Sequence, residues 1–268
     1  MDVALSAAFS VLEAEWPHQL PRIKAFTTLR SGGVSSGVFG DGADGCGFNL
    51  GDHVGDDPLA VAGNRARLNL TLPEDVIFLS QVHGNMVVDV NDVVAGTEAD
   101  AIVSATPGKI CAVLTADCLP VLLADSEGKV VAAAHAGWRG LVAGVLQQTV
   151  EQMRRRGAKT IFASLGPAIG PEQFEVGQDV VDAFAAVSEN TADCFRRKPA
   201  IANKTATETV AKYVADIYQL ARLQLHAAGV MDISGGQYCT VTQGRQFYSY
   251  RRDKVTGRMA SLIWIVPG

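Results

Sequence analysis

CAVLTADCLPVLLADSEGKVVAAAHAGWRG, residues 111–140, contains apolar runs that are typical of neighbouring β-strands. The runs 121–125 (VLLAD) and 130–134 (VVAAA) are separated by a short polar turn, which favours antiparallel pairing. Cys118 precedes the first of these runs and His135 directly follows the second. The stretch therefore predicts a buried sheet that carries two reactive side chains at the ends of its strands.

Other short runs rich in β-branched residues predict further strands. They are 76–79 (VIFL), 86–90 (MVVDV), 110–114 (ICAVL), 161–166 (IFASLG), 237–241 (QYCTV), 246–250 (QFYSY) and 259–266 (MASLIWIV). The run 110–114 is expected to pair with 121–125 as a hairpin. Apolar residues at helical spacing predict helices over 58–70, 140–156, 177–187 and 207–228. Because strands and helices are interspersed without a strict βαβ order, we predict an α+β layered sandwich.

Composition excludes several classes of protein. The net charge is −5 over 268 residues, which argues against attraction to nucleic acid or to an anionic membrane. The five cysteines are scattered, odd in number and never in a CxxC pair, which indicates reduced thiols rather than a secreted disulfide framework. Glu13 and Glu15 interrupt the first apolar stretch, so it is a poor secretory signal. We expect a cytoplasmic protein of one domain, residues 1–268, without a membrane partner.

Candidate chemistry converges on two histidines and one cysteine. His83 and His135 lie where strand-like runs become loops, and Cys118 lies at a break between two such runs. The set could be a Cys–His nucleophile pair, a catalytic zinc site with an open fourth position, or a copper site of the His₂Cys type. No HExxH or CxxC spacing fixes a geometry, so these three interpretations stay open.

Missing motifs narrow the choice. The zinc base-deaminase signature HxE…PCxxC is absent, as are a Walker A motif and a GxGxxG that opens a βαβ unit. Five histidines are too few for the four-copper cluster of true laccases. Any deamination would therefore have to use another scaffold.

Several long motifs resemble one family. They are SQVHGNMV (80–87), ADAIVS (99–104), LTADCLPVLLAD (114–125), AAAHAGWRGLVAGV (132–145) and LGPAIGPEQFEVG (165–177). The chain resembles the laccase-domain, or YfiH-type, family, whose members are labelled polyphenol oxidase and purine nucleoside phosphorylase. This sequence departs from the pattern at Ala168, where many members have a cysteine.

The resemblance implies a single-domain, four-layer α/β/β/α sandwich with mixed, largely antiparallel sheets. It implies a zinc site at His83, Cys118 and His135, with copper as the alternative metal. It further implies phosphorolysis of adenosine, guanosine, inosine and methylthioadenosine, beside adenosine deamination. The partners would be purine nucleosides and phosphate, with no nucleic acid and no membrane, and the protein would be a monomer or a homodimer.

Five further residues are expected to contact substrate. Guanidinium groups suit phosphate, and Arg65 and Arg139 each lie in a matching motif. Asp117 could orient a ligand or act as a base, while Asn49 and Gln81 could hydrogen-bond a base or a sugar.

Three alternative functions stay open beside this hypothesis. One is a cysteine- or metal-dependent amidase that edits muropeptide precursors of the cell wall. The others are a polyphenol oxidase with copper and a nucleoside- or metal-binding protein without turnover.

Overall fold

The computed structural model describes residues 9–43, 45–199 and 211–268. In chain order the strands are β1 (Val11–Glu13), β2 (Ile23–Thr28), β3 (Ser31–Ser35), β4 (Val87–Asp89), β5 (Ala101–Ser104), β6 (Cys111–Thr115), β7 (Leu119–Asp125), β8 (Val131–Ala136), β9 (Ile161–Leu165), β10 (Glu175–Gly177), β11 (Phe195–Arg197), β12 (Lys212–Ala215), β13 (Asp232–Gly235) and β14 (Met259–Ile265). The α-helices are α1 (Pro58–Asn69), α2 (Trp138–Val142), α3 (Val145–Arg155), α4 (Gln178–Val187), α5 (Ile217–Ala227) and α6 (Tyr250–Asp253). Strands and helices are interspersed, as the sequence predicts.

Most of these strands form two sheets. The larger sheet has the order β13-β9-β7-β8-β5-β4, and the smaller has the order β1-β2-β14-β6. Neighbouring strands are antiparallel, except that β13 pairs with β9 and β4 pairs with β5 in parallel. β10, β12 and β11 form a separate three-stranded sheet. The expected mixed, largely antiparallel arrangement is confirmed.

Successive side chains of a strand point to opposite faces of its sheet, so each sheet packs against a different layer on each face. Leu122 of β7 and Ala133 of β8 share an apolar cluster with Val113 of β6 and Ile263 of β14, so this cluster lies between the two sheets. The neighbouring residues on β7 and β8 turn to the opposite face of the larger sheet. There they pack against α3, α4 and α5.

The outer face of the smaller sheet is covered as well. Leu262 of β14 and Leu114 of β6 pack with Leu68 of α1 and with Phe48 and Leu50 from the preceding loop. The order of layers is therefore helices, larger sheet, smaller sheet and helix, which confirms the four-layer α/β/β/α sandwich.

The hairpin predicted between 110–114 and 121–125 is wrong. β6 pairs with β14 in the smaller sheet, whereas β7 pairs with β8 and β9 in the larger one. Residues 116–118 cross between the sheets, and Asp117 makes the sharp turn with a positive φ of 94°. Only the second predicted pair, β7 with β8, is confirmed.

Two predicted helices have different bounds. The helix over 140–156 is divided into α2 and α3 at Gly144, whose φ of +84° is incompatible with a continuous α-helix. The helix over 207–228 is shorter, because 212–215 forms β12 and the Asp216 side chain caps α5 by accepting from the Gln219 N–H. Residues 207–210 of that prediction lie outside the described residues.

Three predicted strands are absent from the part of the chain that the structure describes. Residues 76–79 run as extended chain with Phe78 against the outer apolar cluster, and only the following Ser80 bridges Glu98. In 237–241 only Cys239 forms a bridge, to Ala168. Residues 246–250 lead into α6 instead of forming a strand. Phe247 and Tyr248 are buried in the core, and the Ser249 side chain caps α6 by accepting the Arg252 N–H.

No helix within residues 9–43, 45–199 and 211–268 combines the length and the apolar content that crossing a membrane requires.

The inter-sheet layer predicts a contrast between two leucines. Leu122 lies between the sheets and is 2% exposed, whereas Leu59 on α1 is 81% exposed. Leu122→Ala should lower the free energy of unfolding by about 2–5 kcal/mol because it leaves a cavity, and Leu59→Ala should change it by about 0.5 kcal/mol or less. Urea unfolding followed by circular dichroism measures both, and equal effects would contradict the layer assignment.

Candidate functional site

Cys118 and His135 lie at the same end of the larger sheet. His135 is in β8 and pairs with Pro120 of β7, so Cys118 is its diagonal neighbour, just before β7 begins. Alternation places both residues on the strand face that also carries Leu122 and Ala133. The two side chains therefore lie at one end of the layer between the sheets.

His83 reaches the same place from the loop before β4. Its backbone adopts a φ of 61°, which is uncommon for a residue other than glycine. The carboxylate of Asp100, directly before β5, accepts the N–H groups of His83 at 2.9 Å and Gly84 at 2.6 Å, and more distantly that of Val82 at 3.3 Å. These bonds fix the strained turn and aim the His83 ring at the end of the sheet.

The three side chains form one cluster. Cys118 Sγ lies 3.9 Å from His83 Nε2, and the ring centroids of His83 and His135 are 4.8 Å apart at an interplanar angle of 77°. One nitrogen or sulfur atom from each residue lies within 4.8 Å of the others. His135 is buried, Cys118 is half-buried and His83 is exposed, so the cluster opens to solvent on one side.

Asp100 also fixes the orientation of His135. Its Oδ1 lies 2.8 Å from His135 Nδ1, and its backbone oxygen accepts the His135 N–H at 2.7 Å. Burial raises the pKa of Asp100, but the hydrogen bonds from His135 and from the Gly84 N–H outweigh it and hold that pKa below its usual value. The ionised carboxylate only accepts, so His135 Nδ1 carries the proton and Nε2 is left to bind a ligand.

The electrostatics of the cluster favour a thiolate. Burial alone raises the pKa of Cys118, yet His135 and His83 together lower it below the ordinary thiol value. Burial likewise lowers the pKa of His135, whereas Cys118 and Asp100 raise it above its usual value. A thiolate is the form of cysteine that binds metals and acts as a nucleophile.

Gly137 gives the cluster its space. A Cβ atom at this position would lie 3.1 Å from Cys118 Sγ and 3.2 Å from His83 Cδ2. A side chain here would press on both residues, so the glycine of the HAGWRG stretch favours this close approach.

This donor set fits a metal ion. Two imidazoles and a thiolate suit zinc and copper, and the hydrogen bond from His135 to a carboxylate is the outer contact that metal-bound histidines usually make. The three residues could therefore hold a metal, and the cluster is open to solvent on the side of His83.

A large cleft lies over the cluster. Its volume is about 990 Å³, and both sheets and the loops at their ends contribute to its walls. Its apolar surfaces include Phe78, Trp138 and Phe174, and its cationic side chains are Arg65, Arg139, Arg251 and Arg258. Mixed apolar and cationic walls of this size are typical of sites for small anionic or aromatic ligands.

Asn49 does not line the cleft, so its expected contact with substrate stays a prediction. The side chain is fully buried, and its Nδ2 donates to Gly51 O and Asp56 Oδ2. Its Oδ1 accepts from the backbone of Gly51 and Arg258. Every polar group of the amide is occupied, so Asn49 supports the cleft wall from behind.

Gln81 and Asp117 line the cleft, but their polar atoms bind the protein itself. The amide of Gln81 donates to Leu114 O at 2.8 Å and accepts from Leu114 N at 2.7 Å. The carboxylate of Asp117 accepts from the Thr240 hydroxyl and from the Arg251 N–H. Both side chains therefore fix the backbone near the cluster. The carboxylate of Asp117 can still accept a further hydrogen bond from a ligand.

Arg65 and Arg139 both line the cleft. Arg65 donates from Nε to Leu50 O at 3.0 Å, and its Nη1 forms an ion pair with Asp52 at 3.1 Å. Arg139 is exposed and stacks over the Trp138 ring at 4.4 Å. Both guanidinium groups can reach an anion in the cleft, with that of Arg65 partly neutralised.

Three residues of the site escaped the sequence analysis. Asp100 lies in the ADAIVS motif, and its position at the end of a strand beside His135 could have identified it. Gly137 and Arg258 lie in motifs that resemble the family. Their roles depend on contacts with residues distant in the chain, which sequence spacing does not predict. Ala168, the expected departure from the family pattern, is fully buried and does not line the cleft.

Comparison with known proteins supports one family. Residues 24–266 match the family model described as multi-copper polyphenol oxidoreductase laccase. The chain is 47% identical over 255 residues to a protein of Escherichia coli K12 named purine nucleoside phosphorylase YfiH, which covers 94% of this chain and 97% of that one. A Haemophilus influenzae protein named purine nucleoside phosphorylase is 45% identical over 244 residues, or 90% of this chain and 94% of that one.

The solved structures show the same fold. The crystal structure of Neisseria meningitidis protein NMB0706 superposes with a TM-score of 0.82 at 45% identity and covers 96% of this chain and 99% of that one. From the family match over nearly its whole length and from relatives at this level of identity, the chain belongs to the laccase-domain, or YfiH-type, family.

Proposed function

We propose that this protein is a purine nucleoside phosphorylase that acts on adenosine, inosine, guanosine and methylthioadenosine and also deaminates adenosine. The observation that carries the proposal is the convergence of His83, Cys118 and His135 at the base of one large cleft. Relatives named purine nucleoside phosphorylase supply the reaction class. Purine nucleosides and phosphate are accordingly the proposed substrates.

Phosphorolysis makes clear demands on a site. A phosphate oxygen forms a bond to C1′ of the ribose while the bond from C1′ to the purine nitrogen breaks. The electron pair of that bond leaves with the purine, which takes up a proton, and the products are ribose 1-phosphate and the free base. The site must therefore hold a dianion beside an electron-poor sugar carbon and support a departing base.

The walls of the cleft can meet these demands. Arg139, and Arg65 despite its pairing with Asp52, offer positive charge to phosphate. Apolar faces such as Phe78 and Phe174 can cover a purine ring and keep water from it. Asp117 lies next to Cys118 and can accept a further hydrogen bond from a sugar hydroxyl.

His83, Cys118 and His135 are the residues that would hold zinc, with copper as the alternative metal. A metal at this position would supply Lewis-acid chemistry, which activates a nucleophile at neutral pH. Asp100 keeps His135 Nδ1 protonated and so directs Nε2 toward the cluster. The same pocket then suits deamination, in which water attacks C6 of adenosine and ammonia leaves.

The second candidate is a cysteine-dependent amidase that acts on muropeptides. It is favoured by the contact of Cys118 Sγ with His83 Nε2 at 3.9 Å and by the proximity of His135, since a thiol between two imidazoles is a recognised nucleophile arrangement. Metal dependence separates the two candidates.

Removal of Cys118 should abolish both proposed reactions. Cys118→Ala should lower phosphate-dependent base release from inosine, and inosine formation from adenosine, by about 100-fold or more, because a ligand of the central cluster is lost. Chromatography of the products measures both rates. Cys46→Ala removes an exposed thiol outside the cleft and is the matched control. Unchanged rates in Cys118→Ala would refute a shared site.

Metal removal should have the same effect as loss of the thiol. Chelator-treated protein is expected to lose nucleoside cleavage and to regain it when zinc is added, because three protein ligands leave the metal open to chelators. If the metal-free protein instead hydrolyses muropeptide amides and is inactivated by thiol alkylation, the amidase is the correct function.

Asp100 should control metal affinity. Asp100→Asn keeps the size of the side chain but removes the charge that orients His135, so zinc affinity should fall by about 10–100-fold. Competition with a chromophoric chelator measures this directly, without turnover. Asp125→Asn alters a buried carboxylate that binds only the turn between β7 and β8, and it should leave zinc affinity unchanged. Equal affinities for the native protein and Asp100→Asn would contradict the role of Asp100.

A further inference from the structure

Arg258 presents an unusual cation to the cleft. It lies directly before β14 and lines the cleft together with Asp117, Cys118 and His135. The side chain is half-buried, and its Nη1 donates to Thr256 O at 3.0 Å and to Gly257 O at 3.1 Å. These two bonds use one end of the guanidinium group.

The other edge of this guanidinium group is free among the described residues. No acceptor from residues 9–43, 45–199 or 211–268 bonds to Nε or Nη2, and no carboxylate of these residues lies within 4.0 Å. Burial lowers the pKa of Arg258, while Cys118 and Asp117 oppose this effect. Neither Nε nor Nη2 is buried, so both are open to the cleft and available to a ligand.

The surrounding loop holds the Arg258 backbone and the root of its side chain in place. Its N–H donates to Asn49 Oδ1 at 2.8 Å, and its carbonyl accepts the Leu50 N–H at 3.2 Å. Gly51 leaves room for the stem of the side chain, since a Cβ there would lie 2.8 Å from Arg258 Cγ. The buried amide of Asn49, which does not reach the cleft, thus positions Arg258.

Arg65 and Arg139 differ from Arg258 in pairing or exposure, whereas Arg251 shares its free Nε–Nη2 edge among the described residues but lies against an aromatic ring. Arg65 is ion-paired with Asp52, and Arg139 is exposed and stacked on Trp138. Arg251 donates from Nη1 to the carbonyls of Gln173 and Glu175 and lies against the Phe174 ring.

We infer that Arg258 binds inorganic phosphate in the cleft through Nε and Nη2, an inference that rests on the proposed function for its co-substrate. These two nitrogens form the edge of a guanidinium group that accepts two oxygens of one phosphate at once. Arg139, which is exposed, and Arg65, which is already paired, then assist. Because Arg258 lines the same cleft as Asp117 and Cys118, phosphate bound there shares the cleft with the candidate catalytic cluster.

Equilibrium dialysis with radiolabelled phosphate tests this assignment on the full chain. Arg258→Gln should raise the Kd for phosphate by about tenfold or more, because a charge-assisted bidentate contact is lost. Arg258→Lys keeps the charge but not the paired donors and should raise the Kd by a smaller factor. Arg67→Gln removes the same charge from α1, outside the cleft, and should leave the Kd within about twofold of the native value.

A native Kd in Arg258→Gln, or no phosphate binding by the native protein, would overturn the inference. If Arg258→Gln does not fold, the test uses Arg258→Lys instead. A Kd for phosphate equal to that of the native protein in Arg258→Lys would then overturn the assignment. In kinetics with inosine, Arg258→Gln should raise the KM for phosphate more than the KM for inosine, and equal rises would count against it. Dialysis needs no turnover, so phosphate binding through Arg258 without nucleoside cleavage would refute the proposed function and leave this inference standing.

Discussion

The carboxylate of Asp100 accepts hydrogen bonds from the backbone of residues 82–84 and from His135 Nδ1, and two of the three cluster residues depend on it. It is fully buried at the start of β5, between the loop that carries His83 and the strand that carries His135. These hydrogen bonds stabilise the backbone of His83, which adopts an unfavourable positive φ. A single buried charge thus couples a loop to a rigid sheet.

The crossing between the two sheets supplies the third member of the cluster. Residues 116–118 leave the smaller sheet and enter the larger one, and Asp117 holds this turn through the Thr240 hydroxyl and the Arg251 N–H. Cys118 follows this crossing, just before β7 begins. The cluster therefore lies where the chain changes sheets, and residues of both sheets line the cleft above it.

Several polar side chains in or behind the wall of this cleft serve to build it. The amides of Asn49 and Gln81 are used by neighbouring backbone groups, so side chains that suit a sugar or a base in the sequence turn out to be structural. The polar side chains that remain available to a ligand include the three cluster residues and the arginines. This division favours a ligand that combines an apolar ring with an anion, as a purine and phosphate do together.

Sequence alone could predict the apolar strands β7 and β8, the helix α1 and the reactive residues at the strand ends, because burial imposes regular patterns there. It could not predict that 110–114 joins another sheet, since the turn at Asp117 depends on partners far away in the chain. The resemblance to a family supplied the layer order and the expectation that His83, Cys118 and His135 hold zinc. Asp100 and Arg258 escaped notice because their roles arise from contacts across the fold rather than from any local motif.

The central claim is that nucleosides are cleaved here by phosphate, and phosphorus NMR of the native protein with inosine and inorganic phosphate tests it most directly. The account predicts that a sugar-phosphate ester appears as inorganic phosphate disappears, with one hypoxanthine released for each ester formed. Release of hypoxanthine without an ester would show hydrolysis instead, and no release of the base would contradict the account altogether.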